Sequence, residues 1–270
     1  MSQPCDITTQ AWRRFTFERR DRVLYAKITS EHRLNGVDEP MHEELARVFT
    51  ELQRDDGSDI VVLTAVGRAF CAGGDFDWFE QQIEDPARFR AIAWDAKRIV
   101  GSLLELEKPI ICRLNGAAAG LGATIALLCD IIVADETALI GDPHVKVGLV
   151  AGDGGALIWP QLIGYARAKE LLMTGDMLTG RRAAELGLVN YAVPAAELDA
   201  KVDELLAKLQ ANPKWAVRWT KTVTNIPLRA LAAQLMDASI GWETASNHLH
   251  DRREAVQAAR EKRAPKLRGD

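Results

Sequence analysis

Short, unbroken apolar runs separated by glycine-rich turns constrain this chain more than any other feature. IVVLTAV (60–66), IICRL (Ile110–Leu114) and IIVA (131–134) have strand length and little polar alternation. A strand that is apolar at nearly every position is covered on both faces, which is how parallel strands sit inside an α/β protein. VLYAKI (Val23–Ile28) reads as a further strand. Helical patterns lie between these runs. Asp38 and Pro40 mark a helix start, and Met41, Leu45, Val48, Phe49 and Leu52 follow at helical spacing. Segments 90–104 and 122–128 also read as helices. Strands alternating with helices predict an α/β core.

After Gly152 the pattern turns mostly helical. Segments 155–162, 166–173 and 181–186 are separated by glycine-containing turns, and 189–193 reads as a last short strand. Leu198, Val202, Leu205, Leu206 and Leu209 mark an amphipathic helix, and 213–264 carries helical patterning without a strand signal. The expected organisation is an α/β core over 1–195 and a C-terminal helical subdomain over 196–270. A chain of 270 residues is long enough to bury a sizeable core in this way.

Composition excludes several function classes. A net charge of −4 gives no nucleic-acid footprint, and the basic tail from Arg260 to Arg268 is short. Cys5, Cys71, Cys112 and Cys129 form no C-x-x-C pair, so reduced thiols are expected. No apolar run approaches the roughly 18 residues that span a membrane. Residues 1–20 contain Arg13, Arg14, Arg19 and Arg20 and no apolar secretory segment, so a cytoplasmic protein is expected.

Three glycine-rich stretches carry the chemistry. AFCAGGDF (69–76) and NGAAAGLGATIALLCD (115–130) place small residues where a strand gives way to a turn and helix. There backbone N–H groups can point at a ligand, and two such groups around one carbonyl make an oxyanion hole. The third stretch, IGDPHVKVGLVAGDGGALIW (140–159), places His144 and Asp153 on two turns as acid–base candidates beside that hole. Plainer readings stand beside these. Gly73, Gly74 and Asp75 suit an ordinary α/β turn, Asp153 suits a helix N-cap, and His144 suits a loop histidine bonded to backbone. The second stretch lacks the G-x-G-x-x-G spacing of dinucleotide folds, and no phosphate loop ending in Gly-Lys-Ser/Thr is present. His32, His42, His248 and His250 lie on polar segments and read as surface residues. Trp78, Phe79 and Trp94 suit either an acyl pocket or core packing.

Taken together, these segments resemble the crotonase (enoyl-CoA hydratase/isomerase) superfamily over 23–266. The carrying motifs are VVLTAVGRAFCAGGDF, KPIICRLNGAAAGLGATIALLCDIIVADETALIGDP, VGLVAGDGG, RAKELLMTGDMLTGRRAAELGLVNYAV and AREKRAPKL. The resemblance implies the ClpP/crotonase-like α/β fold, with repeated ββα units and a C-terminal helical trimerisation subdomain. It implies oxyanion donors at Gly74 and Leu121, and passage of an acyl-CoA past Ala72, Gly73 and Asp75. It further implies coenzyme A as part of the substrate with no separate cofactor or metal, and a homotrimer or hexamer that engages neither nucleic acid nor membrane. Arg218 and Lys221 are candidate contacts for the CoA phosphates of a neighbouring subunit.

The chain departs from the hydratases of that family at both acid–base positions. Thr124 and His144 stand where those enzymes carry glutamates, so two-glutamate hydration is not expected. Segment 141–160 is instead similar to that of the β-diketone hydrolases typified by 6-oxocamphor hydrolase. There a histidine and an aspartate at these places act in retro-Claisen C–C cleavage. A second histidine of that enzyme, in the helix of the second motif, is absent here. The expectation is therefore an acyl-CoA enzyme working through an enolate. Its catalytic residues would be His144, Asp153, Gly74 and Leu121, with Ala72, Gly73, Asp75, Thr124 and Trp78 against the substrate. C–C hydrolysis of a β-diketone and a non-catalytic acyl-CoA binder are the alternatives.

Overall fold

The computed structural model describes residues 5–30 and 33–270, so His32 lies outside the described residues. The first half of the chain contains β1 Phe15–Arg20, β2 Val23–Ile28, α1 Glu39–Arg54, β3 Ile60–Ala65 and β4 Ala69–Cys71. It continues through α2 Phe76–Glu84, α3 Pro86–Glu105, β5 Ile110–Leu114, β6 Ala117–Ala119 and α4 Leu121–Leu127. The second half contains β7 Ile131–Asp135, β8 Leu139–Gly141, α5 Gly155–Ile163, α6 Tyr165–Thr174, β9 Leu178–Thr179 and α7 Gly180–Glu185. β10 Tyr191–Val193, α8 Leu198–Gln210, α9 Lys214–Asn247 and α10 His250–Glu261 complete it.

These strands form two sheets. The larger has the order β1-β2-β3-β5-β7-β10 and is parallel except for β1. The smaller, β4-β6-β8-β9, is parallel except where β8 meets β9. Three times in succession a strand of the large sheet hands over to a strand of the small one and then to a helix. β3–β4–α2, β5–β6–α4 and β7–β8–α5 are the repeated ββα units. The glycine-rich motifs fall at the ends of the small-sheet strands, which is why all three open onto one place.

Period-two alternation explains the apolar runs. Val61 and Leu63 face the main core, while Ile60 and Val62 face a second cluster. That second cluster is closed by Leu198, Val202, Leu205 and Leu206 of α8. The expected helix start is realised as well: the Asp38 carboxylate accepts from the Met41 N–H at 2.9 Å, and Pro40 sits in the first turn. β1 and the small sheet were not expected from the sequence. β1 is an edge strand with mixed burial, and β4, β6 and β8 have three residues each, too short to show a period. α9 lies along α3, and α10 packs on α2 and on the turn that carries His144. No helix among the described residues is long and apolar enough to cross a membrane.

Candidate active site

Two strand-to-helix turns meet at one wall. The turn after β4 is pinned on both sides of Gly74. Val37 N–H donates to Gly73 O at 2.9 Å and Asp75 N–H donates to Val37 O at 2.8 Å. Asp75 caps α2 by accepting from the N–H groups of Asp77 and Trp78 at 3.0 and 3.3 Å. In the turn after β6, Gly120 has φ +54° and donates to Gly141 O at 3.1 Å. A Cβ on Gly122 would lie 2.2 Å from Cys71 O. Only glycine there lets α4 approach β4 closely enough to bring the two turns together. Gly74 and Leu121 both line the same pocket, and among the described residues neither N–H donates within the chain.

His144 stands against this wall. A Cβ on Gly120 would come within 3.1 Å of His144 Cε1, so the imidazole lies directly on the turn that presents the Leu121 N–H. Its Nδ1 donates to Asp142 Oδ1, which fixes the ring's orientation, and its Nε2 lies 3.5 Å from Asp153 Oδ2. All three residues are buried. Asp142 Oδ2 occupies the space a Cβ on Gly155 would need, and no partner satisfies that oxygen. α5 begins behind Gly154 without a side-chain cap, so the Asp153 carboxylate is left to face His144. Thus the cap reading of Asp153 is not what the structure shows.

Burial opposes a positive charge on His144, but the Asp142 and Asp153 carboxylates outweigh it and hold its pKa at about 10. Burial pushes Asp153 up to about 6, against the pull of the His144 cation. Burial together with Asp153 pushes Glu243, on α9, up to about 8. These shifts favour an imidazolium at His144 and a protonated Glu243 at neutral pH. The donor atoms of Asp142, His144 and Asp153 lie within 4.8 Å of one another, which is also the spacing of a metal cluster. Here Nδ1 carries a proton toward Asp142, and the arrangement is that of a hydrogen-bonded ion pair.

The pocket is a narrow cavity of about 60 Å³. Trp78, Phe79, Phe89, Ile92 and Ile240 give it an apolar wall. A Cβ on Gly74 would sit 2.2 Å from Phe79 Cε1, so the Phe79 ring rests on the Gly74 turn itself. Arg252 of α10 backs the site, with its guanidinium 4.5 Å from the Phe79 ring and its Nη1 donating to Val147 O at 2.6 Å.

Gly74, Leu121, His144, Asp153 and Trp78 are brought together in this pocket, with Ala72, Gly73 and Asp75 on the adjoining turn. Thr124 is not in the pocket. It is fully buried, and its methyl lies 2.7 Å from where a Cβ on Gly154 would be. Trp94 is 65 % exposed beside Lys97 and lines nothing. His42 is not a surface residue: it is 4 % exposed, packs against Trp78 and lines the pocket. Its neighbours on α1 are polar, but it falls on the buried stripe between Met41 and Leu45. His248 and His250 are exposed as expected. Arg218 and Lys221 are buried and engaged within the chain, Arg218 with Asp59 at 3.0 Å and Lys221 with Asp130 at 2.8 Å. The sequence reading missed Asp142 and Glu243 as members of the site. Asp142 had a signal in its position beside His144, whereas nothing near Glu243 in sequence points to the pocket.

Comparison with known proteins agrees with this geometry. Residues 18–270 match the family described as enoyl-CoA hydratase/isomerase. The 1,2-epoxyphenylacetyl-CoA isomerase of Escherichia coli is 30 % identical, over 92 % of this chain and 95 % of that protein. The crystal structure of an enoyl-CoA hydratase/isomerase from Mycobacterium paratuberculosis superposes with a TM-score of 0.84 at 34 % identity, covering 90 % of this chain and 97 % of the other. A β-diketone hydrolase from the cyanobacterium Anabaena, bound to (S)-3-oxocyclohexyl acetic acid, superposes with a TM-score of 0.81 at 27 % identity, covering 88 % and 95 %. With its ββα repeats, paired glycine turns and near-complete coverage, this chain belongs to the enoyl-CoA hydratase/isomerase family, within the crotonase superfamily.

Proposed function

We propose that the chain catalyses proton transfer at the carbon beside the carbonyl of an acyl-CoA thioester. The observation that carries this reading is the placement of two undonated backbone N–H groups, Gly74 and Leu121, on one wall with the His144–Asp153 pair. The thioester oxygen accepts from both N–H groups. Asp153, with its pKa near neutrality, takes the proton from the α carbon. The C–H electron pair becomes the enolate double bond, and the charge rests on the oxygen in the hole. The buried His144 imidazolium stabilises that negative charge, and the proton returns from Asp153 or His144 to carbon. No resident cofactor takes part, and coenzyme A belongs to the substrate. Addition of water by two glutamates is disfavoured, because Thr124 lies outside the pocket and His144 is a cation.

A second reading has one observation in its favour. His144 held by Asp142 and Asp153 beside an oxyanion hole also suits attack of water on a β-diketone. The carbon–carbon bond pair would then leave as an enolate held by the same N–H groups. The Anabaena neighbour is named for that class of reaction.

The deciding experiment offers the purified protein a panel of saturated and β,γ-unsaturated acyl-CoA thioesters alongside cyclic β-diketones, followed by NMR. Double-bond migration or α-proton loss in the thioesters supports the proposal. Ring opening of the diketones with inert thioesters replaces it by the hydrolase reading.

A further inference from the structure

His42 has no role in the chemistry above, yet it borders the same pocket. It is 4 % exposed, and its ring centroid lies 5.5 Å from that of Trp78. Burial lowers its pKa to about 4, so the imidazole is neutral at neutral pH, with one N–H to donate and one lone pair to accept. Nδ1 is buried without a partner, and among the described residues no hydrogen bond uses either ring nitrogen. A buried polar group left unpaired destabilises a fold, and an apolar side chain would fill this place on α1 at no such penalty. Gln82, which is 2 % exposed, and the neutral Glu243 line the same pocket, as do His144 and Asp153. A plain hydrocarbon chain would leave the His42 imidazole unsatisfied. No Lys or Arg lines the pocket, and its one cation, His144, is already paired with Asp142 and Asp153.

We propose that His42 is a specificity-determining residue, and that the natural acyl group carries a neutral oxygen, a hydroxyl or a ketone, on the chain beyond the thioester. The oxygen hydrogen-bonds to the imidazole, and Gln82 and Glu243 are the other polar groups within the pocket. This inference rests on the acyl-CoA reading and names its substrate class. A site built to hydrogen-bond a substrate oxygen rejects the analogue lacking it far more strongly than an apolar pocket discriminates by size.

The test is a binding comparison by calorimetry. Hexanoyl-CoA is measured against hexanoyl-CoA derivatives carrying a hydroxyl or ketone at each carbon beyond the β position. The proteins are the wild type, His42→Leu and His42→Gln. The wild type is expected to prefer at least one oxygenated chain by about tenfold or more. His42→Leu should lose that preference while melting no lower than wild type, and His42→Gln should keep most of it. A wild type that prefers the unsubstituted chain, or a preference that survives His42→Leu, overturns the proposal. Failure of the acyl-CoA reading looks different: no thioester binds to any of the three proteins. The same comparison is then made with cyclic β-diketones with and without an added hydroxyl. An oxygen preference lost in His42→Leu supports His42 there, and its absence rejects it.

Discussion

His144 stands between two carboxylates, and that placement decides which group is the base. An imidazolium with a pKa of about 10 accepts no proton at neutral pH, so Asp153, at about 6, is the group that can. The two act as one unit. His144→Gln and Asp153→Asn should each slow turnover by about 10²–10⁴-fold, with the double variant no slower than the worse single one. Multiplying losses would show two independent groups. Stability carries the same signature. Glu243 and His144 both hold their protons more tightly in the folded chain, Glu243 at about 8 against an ordinary 4.5 and His144 at about 10 against 6.5. Each therefore lends stability that is lost as pH rises through its folded value. His42 and Lys108 shift the other way: the His42 window closes near pH 6.5, whereas that of Lys108 opens near pH 8 and offsets the His144 loss above it. The melting temperature should fall between pH 7 and 8, where Glu243 and His144 both lose stability, and Glu243→Gln and His144→Gln should each flatten that fall. A wild-type profile level across this range contradicts the charge assignment. Of these residues, His144 and Asp153 were legible from their glycine-rich surroundings. Glu243 was not, because its place in the pocket depends on α9 folding back across α3. His42 was misread because polar neighbours masked its position on the buried stripe.

At the scale of elements, the site is made by turns, and glycine at those turns serves two separable purposes. Gly67 and Gly120 both have positive φ, but a Cβ on Gly67 meets nothing within 4 Å, whereas one on Gly120 meets the His144 ring. Gly67→Ala and Gly120→Ala should each lose stability to positive-φ strain, by about 1–2 kcal/mol at Gly67 and more at Gly120, whose φ of +54° with ψ of −126° favours glycine alone. Only Gly120→Ala should also lose turnover, by at least about tenfold, as the imidazole is pushed from its place. Equal turnover in the two variants, measured beside their melting temperatures, would remove Gly120 from the geometry of the site. The same distinction explains what the sequence showed of the elements. Strands β3, β5 and β7 were legible because both faces are buried. β4, β6 and β8 were hidden because three residues show no period, although the glycine motifs marking their ends were plain.

The whole molecule leaves one helix face uncovered. Trp215, Trp219, Val223 and Ile226 recur at helical spacing along α9, and all four are exposed. A contiguous apolar stripe of this kind marks an association surface. We propose that it is buried in a trimer or a dimer of trimers. Sedimentation should show such an assembly at micromolar concentration, and Trp219→Asp should shift it to smaller species. A stable wild-type monomer would reject this.

The central claim is that Gly74 and Leu121 hold an enolate while Asp153 moves the α-proton. Deuterium exchange at the α carbon of a saturated acyl-CoA, followed by proton NMR in D₂O, tests it most directly. It needs no knowledge of the final product. The account predicts enzyme-dependent loss of the α-proton signal, slowed by about 10²-fold or more in Asp153→Asn. A bound thioester whose α-protons exchange no faster with wild type than with buffer alone would contradict it.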